Sequence, residues 1–145
     1  MTKPAALLLL VLPFLSACST LDTKKESKVN LAAYQHIFVE HLLSDGNGVD
    51  QILARELRGL GYDATSGPIT MLPDNAEVVV AYEDRWTFDF TNYMIELDLI
   101  VRTARTDHRL ATVHYRRPSL TGGSTVDMAD TVLEKIFPPK AAAVR

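Results

Sequence analysis

The chain has 145 residues, 47% hydrophobic and 23% charged, and its 15 lysines and arginines stand against 18 aspartates and glutamates for a formal net charge of −3. Less an export leader, that length is enough for one domain with a real core and not for two. The charges are mixed, with no basic cluster that would neutralise a row of phosphates, so nucleic acid is excluded as an expected partner, and the single cysteine leaves no internal disulfide.

Residues 1–17 read as a leader. Lys3 makes the positive start, Ala5 to Leu12 is unbroken apolar sequence, and Pro13, Ser16 and Ala17 end it with a bend and small residues. A membrane-spanning helix needs about 20 apolar residues, and polar residues follow soon after Leu15, so the expectation is a secretion signal. The closing residues Leu15-Ser16-Ala17-Cys18 resemble a bacterial lipoprotein processing site: a branched aliphatic residue and two small ones before the cysteine. The resemblance implies that a signal peptidase recognises Leu15, Ser16 and Ala17, that Cys18 becomes the mature N-terminus, and that it is acylated on sulfur and on its new amine. One myristoyl-sized chain binds a bilayer marginally, whereas two or more anchor stably. The next residue is Ser19, not the aspartate that holds enterobacterial lipoproteins at the inner membrane, so the same resemblance implies a periplasm-facing protein on the outer membrane.

Residues 18–32 are largely polar and are expected to form a flexible tether carrying the lipidated Cys18. Residues 33–137 are expected to form a single domain, and residues 138–145, opening with Pro138-Pro139, a disordered tail. Tyr34 to Glu40 has the aromatic and β-branched content of a first strand. Ser44 to Gly48 is dense in turn formers, and Asn47 with Asp50 resembles a shortened capping box. Val49, Ile52, Leu53, Leu57 and Leu60 then recur at helical spacing, up to a terminating Gly61. Tyr62 to Thr65 is a short candidate strand.

From Glu77 to Val101 two alternating runs meet at Thr91-Asn92. A turn there places Phe90 opposite Tyr93, Trp86 opposite Leu97 and Tyr82 opposite Val101 on an apolar face. On the other face it places Arg85 opposite Asp98. A third strand, about Arg109 to Arg117, adds Ala111, Val113 and Tyr115 to the apolar face and Arg116 opposite Asp98. Arg85, Asp98 and Arg116 thus form an expected solvated charge row that reinforces register. Asp84 shares parity with Trp86 and points coreward, which requires an edge position or a hydrogen-bonded partner. Ser124 to Asp127 is a cap signature for a second helix with Val126, Ala129, Val132, Leu133 and Ile136 as its buried stripe. The expected fold is α+β in the order β-α-β-β-β-β-α: two helices on one face of a mainly antiparallel, four- to five-stranded sheet.

The stretches Asp84-Arg85-Trp86, Met94-Ile95-Glu96-Leu97 and Arg117 to Gly122 resemble a family of small, uncharacterised proteobacterial lipoproteins. A looser architectural similarity runs to lipopolysaccharide-assembly and transport-auxiliary lipoproteins. His36, His41, His108 and His114 are scattered, with neither a zinc-ligand spacing nor a glycine-flanked nucleophile serine nearby, so no enzyme, metal or cofactor is expected. The aromatic stripe from Tyr82 to Tyr93 is expected to be core, with Phe90 and Tyr93 at the hairpin tip available to a partner. The expected function is that of a non-catalytic, lipid-anchored envelope protein assisting assembly or transport through protein contacts. The alternative is a carrier of a lipid or small ligand in a cleft between helices and sheet.

Overall fold

Alternating apolar residues build the strands that dominate the fold, and two amphipathic helices cover what those strands bury. The computed structural model describes residues 19–26, 29–117 and 123–141. Its strands are β1 (Thr20–Lys25), β2 (His36–Glu40), β3 (Asp63–Gly67), β4 (Val78–Asp89), β5 (Thr91–Thr103) and β6 (Arg109–Arg116), and its helices α1 (Val49–Gly59) and α2 (Thr125–Ile136). One six-stranded sheet has the order β1-β6-β5-β4-β2-β3, in which β2 runs parallel to both β3 and β4 and the other pairs are antiparallel. The fold is therefore α+β, as expected, with one strand more than expected and two parallel pairs at one side.

The additional strand is β1, and it corrects the tether. Thr20 to Lys25 pairs along its length with Arg116 to Ala111 of β6. Its side chains say little, since only Leu21 packs against the core; the ladder to an otherwise open edge of β6 orders it. Cys18 and the processing-site residues Leu15, Ser16 and Ala17 lie outside the described residues.

One face of the sheet, the inner one, carries both helices: α1 lies over β2 and β3, and α2 over β5, β6 and β1. Val49, Leu53 and Leu57 of α1 and Ala129, Val132, Leu133 and Ile136 of α2 meet Val39, Val80, Leu99, Val101 and Val113 in one buried cluster. Burying a side chain of this kind fully is worth about 1.5–3 kcal/mol. Val126 is only half-buried, and Met128 is buried in its stead. Ser124 caps α2 with the reciprocal Asp127 bond of a capping box. Gly61 takes the left-handed conformation after α1, at φ 95°, with Lys140 packed against it so closely that a Cβ would come within 2.9 Å of the lysine Cβ. This contact corrects the tail as well. Lys140 N–H donates to Leu60 O, its Nζ donates to Tyr34 O, and Tyr62 Oη donates to Pro138 O, so residues 138–140 fold back onto the domain.

The β4–β5 register differs from the expected one. Tyr82 faces Leu99, Arg85 faces Glu96, Trp86 faces Met94, and the strands meet at Phe90, between Asp89 and Thr91. A bulge opposite Arg85 and Trp86 leaves Ile95 as the extra residue of β5. It reverses the parity of β5, so that Met94 and Leu97 are both fully buried on the inner face. An alternation rule applied without a bulge puts Met94 among the polar residues. Trp86 is half-buried, packing on the rim of the core rather than inside it. Phe90 leaves the apolar face altogether and is 93% exposed.

Candidate functional site

Three places concentrate chemistry. The first is the entrance to α1. Gly48 is the cap residue, in a left-handed conformation, and makes no side-chain cap bond; Asn47 does not cap either. Asp45 does the capping from further back. Its Oδ1 accepts from the Asn47 and Gly48 N–H groups, and its Oδ2 from Val49 N–H and Tyr82 Oη. Burial alone would raise the Asp45 carboxyl, but these donors outweigh it and hold its pKa below the ordinary aspartate value. Tyr82 is pushed far above the usual tyrosine range, by burial first and then by its bond to Asp45. Buried Asp50 brings its Oδ1 to 3.2 Å from His41 Nδ1, an ion-pair distance without hydrogen-bond alignment.

The second place is the outer face of the sheet, opposite the helices. Register puts Glu83, Asp98, His114 and Asp22 in one row across β4, β5, β6 and β1, and Arg85, Glu96, Arg116 and Thr20 in the next. The expected row of Arg85, Asp98 and Arg116 is therefore split. The residue between the two arginines is Glu96, whose Oε2 lies 3.4 Å from Arg85 Nη1. Asp98 instead bonds His114 Nδ1 and faces Glu83. The third strand's pairing differs by two residues from the expected one, which preserves the face and changes every partner. Beside these rows Glu40 at the end of β2 and the following residues His41 to Ser44 line, with Ala81, Ile100 and Thr112, an open groove of about 1050 Å³. The expected cleft between helices and sheet is occupied by the packed core; the groove lies on the other face.

Two clusters among the described residues bring three metal-ligating side chains within 4.8 Å of one another: His41, Asp45 and Asp50, and Glu96, Asp98 and His114. In the first, the Asp45 oxygens are already committed to four donors, and the positive end of α1 opposes a cation. In the second, the donors are half-exposed and Asp98 is bonded to His114. Sequence spacing hides both clusters, because strand pairing and a loop bring their members together. The Asp98–His114 pair was within reach of a correct register. The Asp45–Tyr82 bond, 37 residues apart in sequence, had no local signal.

The third place is the end of the β4–β5 hairpin, where Phe88 is 72% and Phe90 93% exposed while Tyr93 is half-buried. Phe90 sits at φ 60°, a left-handed conformation that bulky residues rarely adopt. Coreward Asp84 is accounted for just below: its Oδ2 accepts from Trp86 Nε1.

The fold defines a class of small α+β domains in which a βαβ unit extends an antiparallel meander and both helices share one face. Among solved structures the chain is similar to the PelC dodecamer from Paraburkholderia phytofirmans, at TM-score 0.59 and 14% identity over 84% of this chain and 96% of that one. A single-substitution variant of that PelC, in another crystal form, gives TM-score 0.60 at 14% identity, covering 84% of this chain and 97% of that one. A PDZ domain protein from Parabacteroides distasonis matches at TM-score 0.51 and 5% identity, over 85% of this chain and 37% of that one. At such identities the likeness concerns the fold. No protein-family model and no curated protein matches the sequence, so the resemblance to an uncharacterised lipoprotein family gains no support from either.

Proposed function

We propose that the protein is a lipid-anchored, periplasm-facing component of the outer membrane that works through protein contacts, as an assembly or transport accessory, without catalysis. The observation that carries this reading is the start of β1 at Thr20, two residues beyond Cys18, as the edge strand of the sheet. A domain tethered that briefly stays at the bilayer to which its cysteine is acylated. Three of the acids and two of the histidines support a binding role, because they are engaged with one another or with backbone: Asp45 caps a helix, Asp98 holds His114, and His36 Nδ1 pairs with Asp63 Oδ2 at 2.8 Å. The PelC structures supply a candidate partner class, since a chain of this fold assembles there with copies of itself as a dodecamer.

The test is made in intact envelopes. Crosslinking from the outer sheet face, for example at Arg85 or Arg116, should give one reproducible adduct with a second copy or another envelope protein. Cys18→Ala should leave an unprocessed or mislocalised precursor that takes up no labelled palmitate. Palmitate on the Cys18→Ala protein at wild-type level would overturn the anchor. The groove of about 1050 Å³ favours a second reading, a carrier of a lipid or small ligand on the outer sheet face. Lipid co-purifying stoichiometrically with the detergent-extracted protein, and lost when Ile100 is replaced by Glu, would select that reading.

A further inference from the structure

We infer that the β4–β5 hairpin tip is a second membrane contact, which inserts Phe88 and Phe90 into the lipid interface on the same side from which the chain reaches Cys18. The inference rests on the lipid anchor proposed above. Its geometric basis is the register: Thr20, Arg116, Glu96 and Arg85 share one row across four strands. From that row β1, followed backward, and β4, followed forward, leave the sheet in the same direction. Thr20 is two residue steps from Cys18, a reach of at most about 7 Å. Phe90 is five residue steps from Arg85, about 16 Å at the usual rise of a strand. The tip thus extends roughly 10 Å beyond the point that Cys18 can reach. That is the depth at which amphipathic elements rest among headgroups and upper acyl chains.

The composition of the tip suits that depth. Trp86, Phe88, Phe90 and Tyr93 supply aromatic rings, which concentrate at membrane interfaces, with Asp89 the one charge among residues 86–93. Arg85 and Arg116 stand further back, in the row of Thr20, where long cationic side chains can extend toward lipid headgroups. A second, independent observation is the backbone at Phe90. At φ 60° a glycine or asparagine would serve the turn at lower cost, so the turn itself does not account for a phenylalanine there, and a contact made by its ring does. A protein partner could also cover these rings, but the shared direction of tip and anchor favours lipid.

Acylation leaves no free thiol, so Asn92→Cys gives one labelling site at the tip and Arg105→Cys gives a control in the β5–β6 turn at the far end of the sheet. Each full-length, acylated variant is labelled with an environment-sensitive fluorophore and reconstituted into phosphatidylethanolamine–phosphatidylglycerol vesicles containing lipid with an acyl-chain quencher. The label at residue 92 should be quenched and that at residue 105 should not. Adding Phe88→Ser and Phe90→Ser should reduce quenching at residue 92 to the level at residue 105 while the protein remains vesicle-bound and melts as before. Equal quenching at the two sites in the parent protein would overturn the inference, as would a crosslink from residue 92 to a protein with no quenching by lipid. Mass analysis of the N-terminus separates the two readings. A non-acylated Cys18 would defeat the anchor itself, whereas an acylated Cys18 with an unquenched tip would defeat only the inserted hairpin.

Discussion

Tyr82 and Phe88 lie on the same strand, on the same face by alternation, yet Tyr82 is 4% exposed and Phe88 72%. Below the bulge, Val80, Tyr82, Leu99 and Val101 are covered by the two helices and bury their full side chains. Above it the cover runs out: Trp86 and Tyr93 are half-buried, and Phe88 and Phe90 are largely exposed. Alternation assigns a residue to a face; whether that face is a core depends on what is stacked against it. The bulge sits at the boundary, burying Met94 and Leu97 as the last covered pair.

The largest effect that would test this division is a truncation on the covered side. Leu99→Ala should cost about 2–5 kcal/mol, whereas Phe88→Ala should stay within about 0.5 kcal/mol, both read from urea denaturation midpoints. Similar losses at both positions would mean that the tip is packed against something in the free protein. Trp86 stands between them, half-buried and bonded to Asp84, so Trp86→Ala should cost roughly 2 kcal/mol, less than removal of a fully buried aromatic.

Asp45 tests how the covered end is tied down. Asp45→Ala removes the side-chain cap of α1 and the acceptor of buried Tyr82 Oη, at a cost of about 1–2 kcal/mol near neutral pH. The folded pKa of Asp45 is lowered, so its contribution is present above the unfolded aspartate value and is lost as pH falls through the folded one. The wild-type and mutant melting curves should therefore converge in acid, below about pH 4, and a difference that grew there would contradict the assignment. Tyr82→Phe should reproduce part of the loss.

The smallest effects lie on the outer face and bear on register. Glu96→Lys places a cation between Arg85 and Arg116 and should cost about 0.5–1 kcal/mol, whereas Asp98→Lys loses His114 but relieves the facing Glu83 and should be close to neutral. If Asp98→Lys were the costlier change, the pairing of Arg85 and Arg116 with Asp98 read from the sequence would be the correct one.

Much of the fold was legible because it is written in local patterns. The helical spacing from Val49 to Leu60, the Ser124–Asp127 capping box, the stop at Gly61 and the alternation of β4 to β6 each need only a few neighbouring residues, so their physics survives without a structure. Only the tertiary structure decided the rest, because it depends on partners distant in sequence. β1 is ordered by the open edge of β6 and not by its own polar side chains. The cap of α1 passed from Asn47 to Asp45 because Tyr82 is there to share it. The tail from Pro138 to Lys140 is held by Leu60, Tyr62 and Tyr34. The turn at Phe90 instead of Thr91-Asn92 shifted the whole register, and the extra residue at Ile95 then moved Met94 to the inner face, since a bulge carries almost no signature in composition while it resets every cross-strand neighbour beyond it.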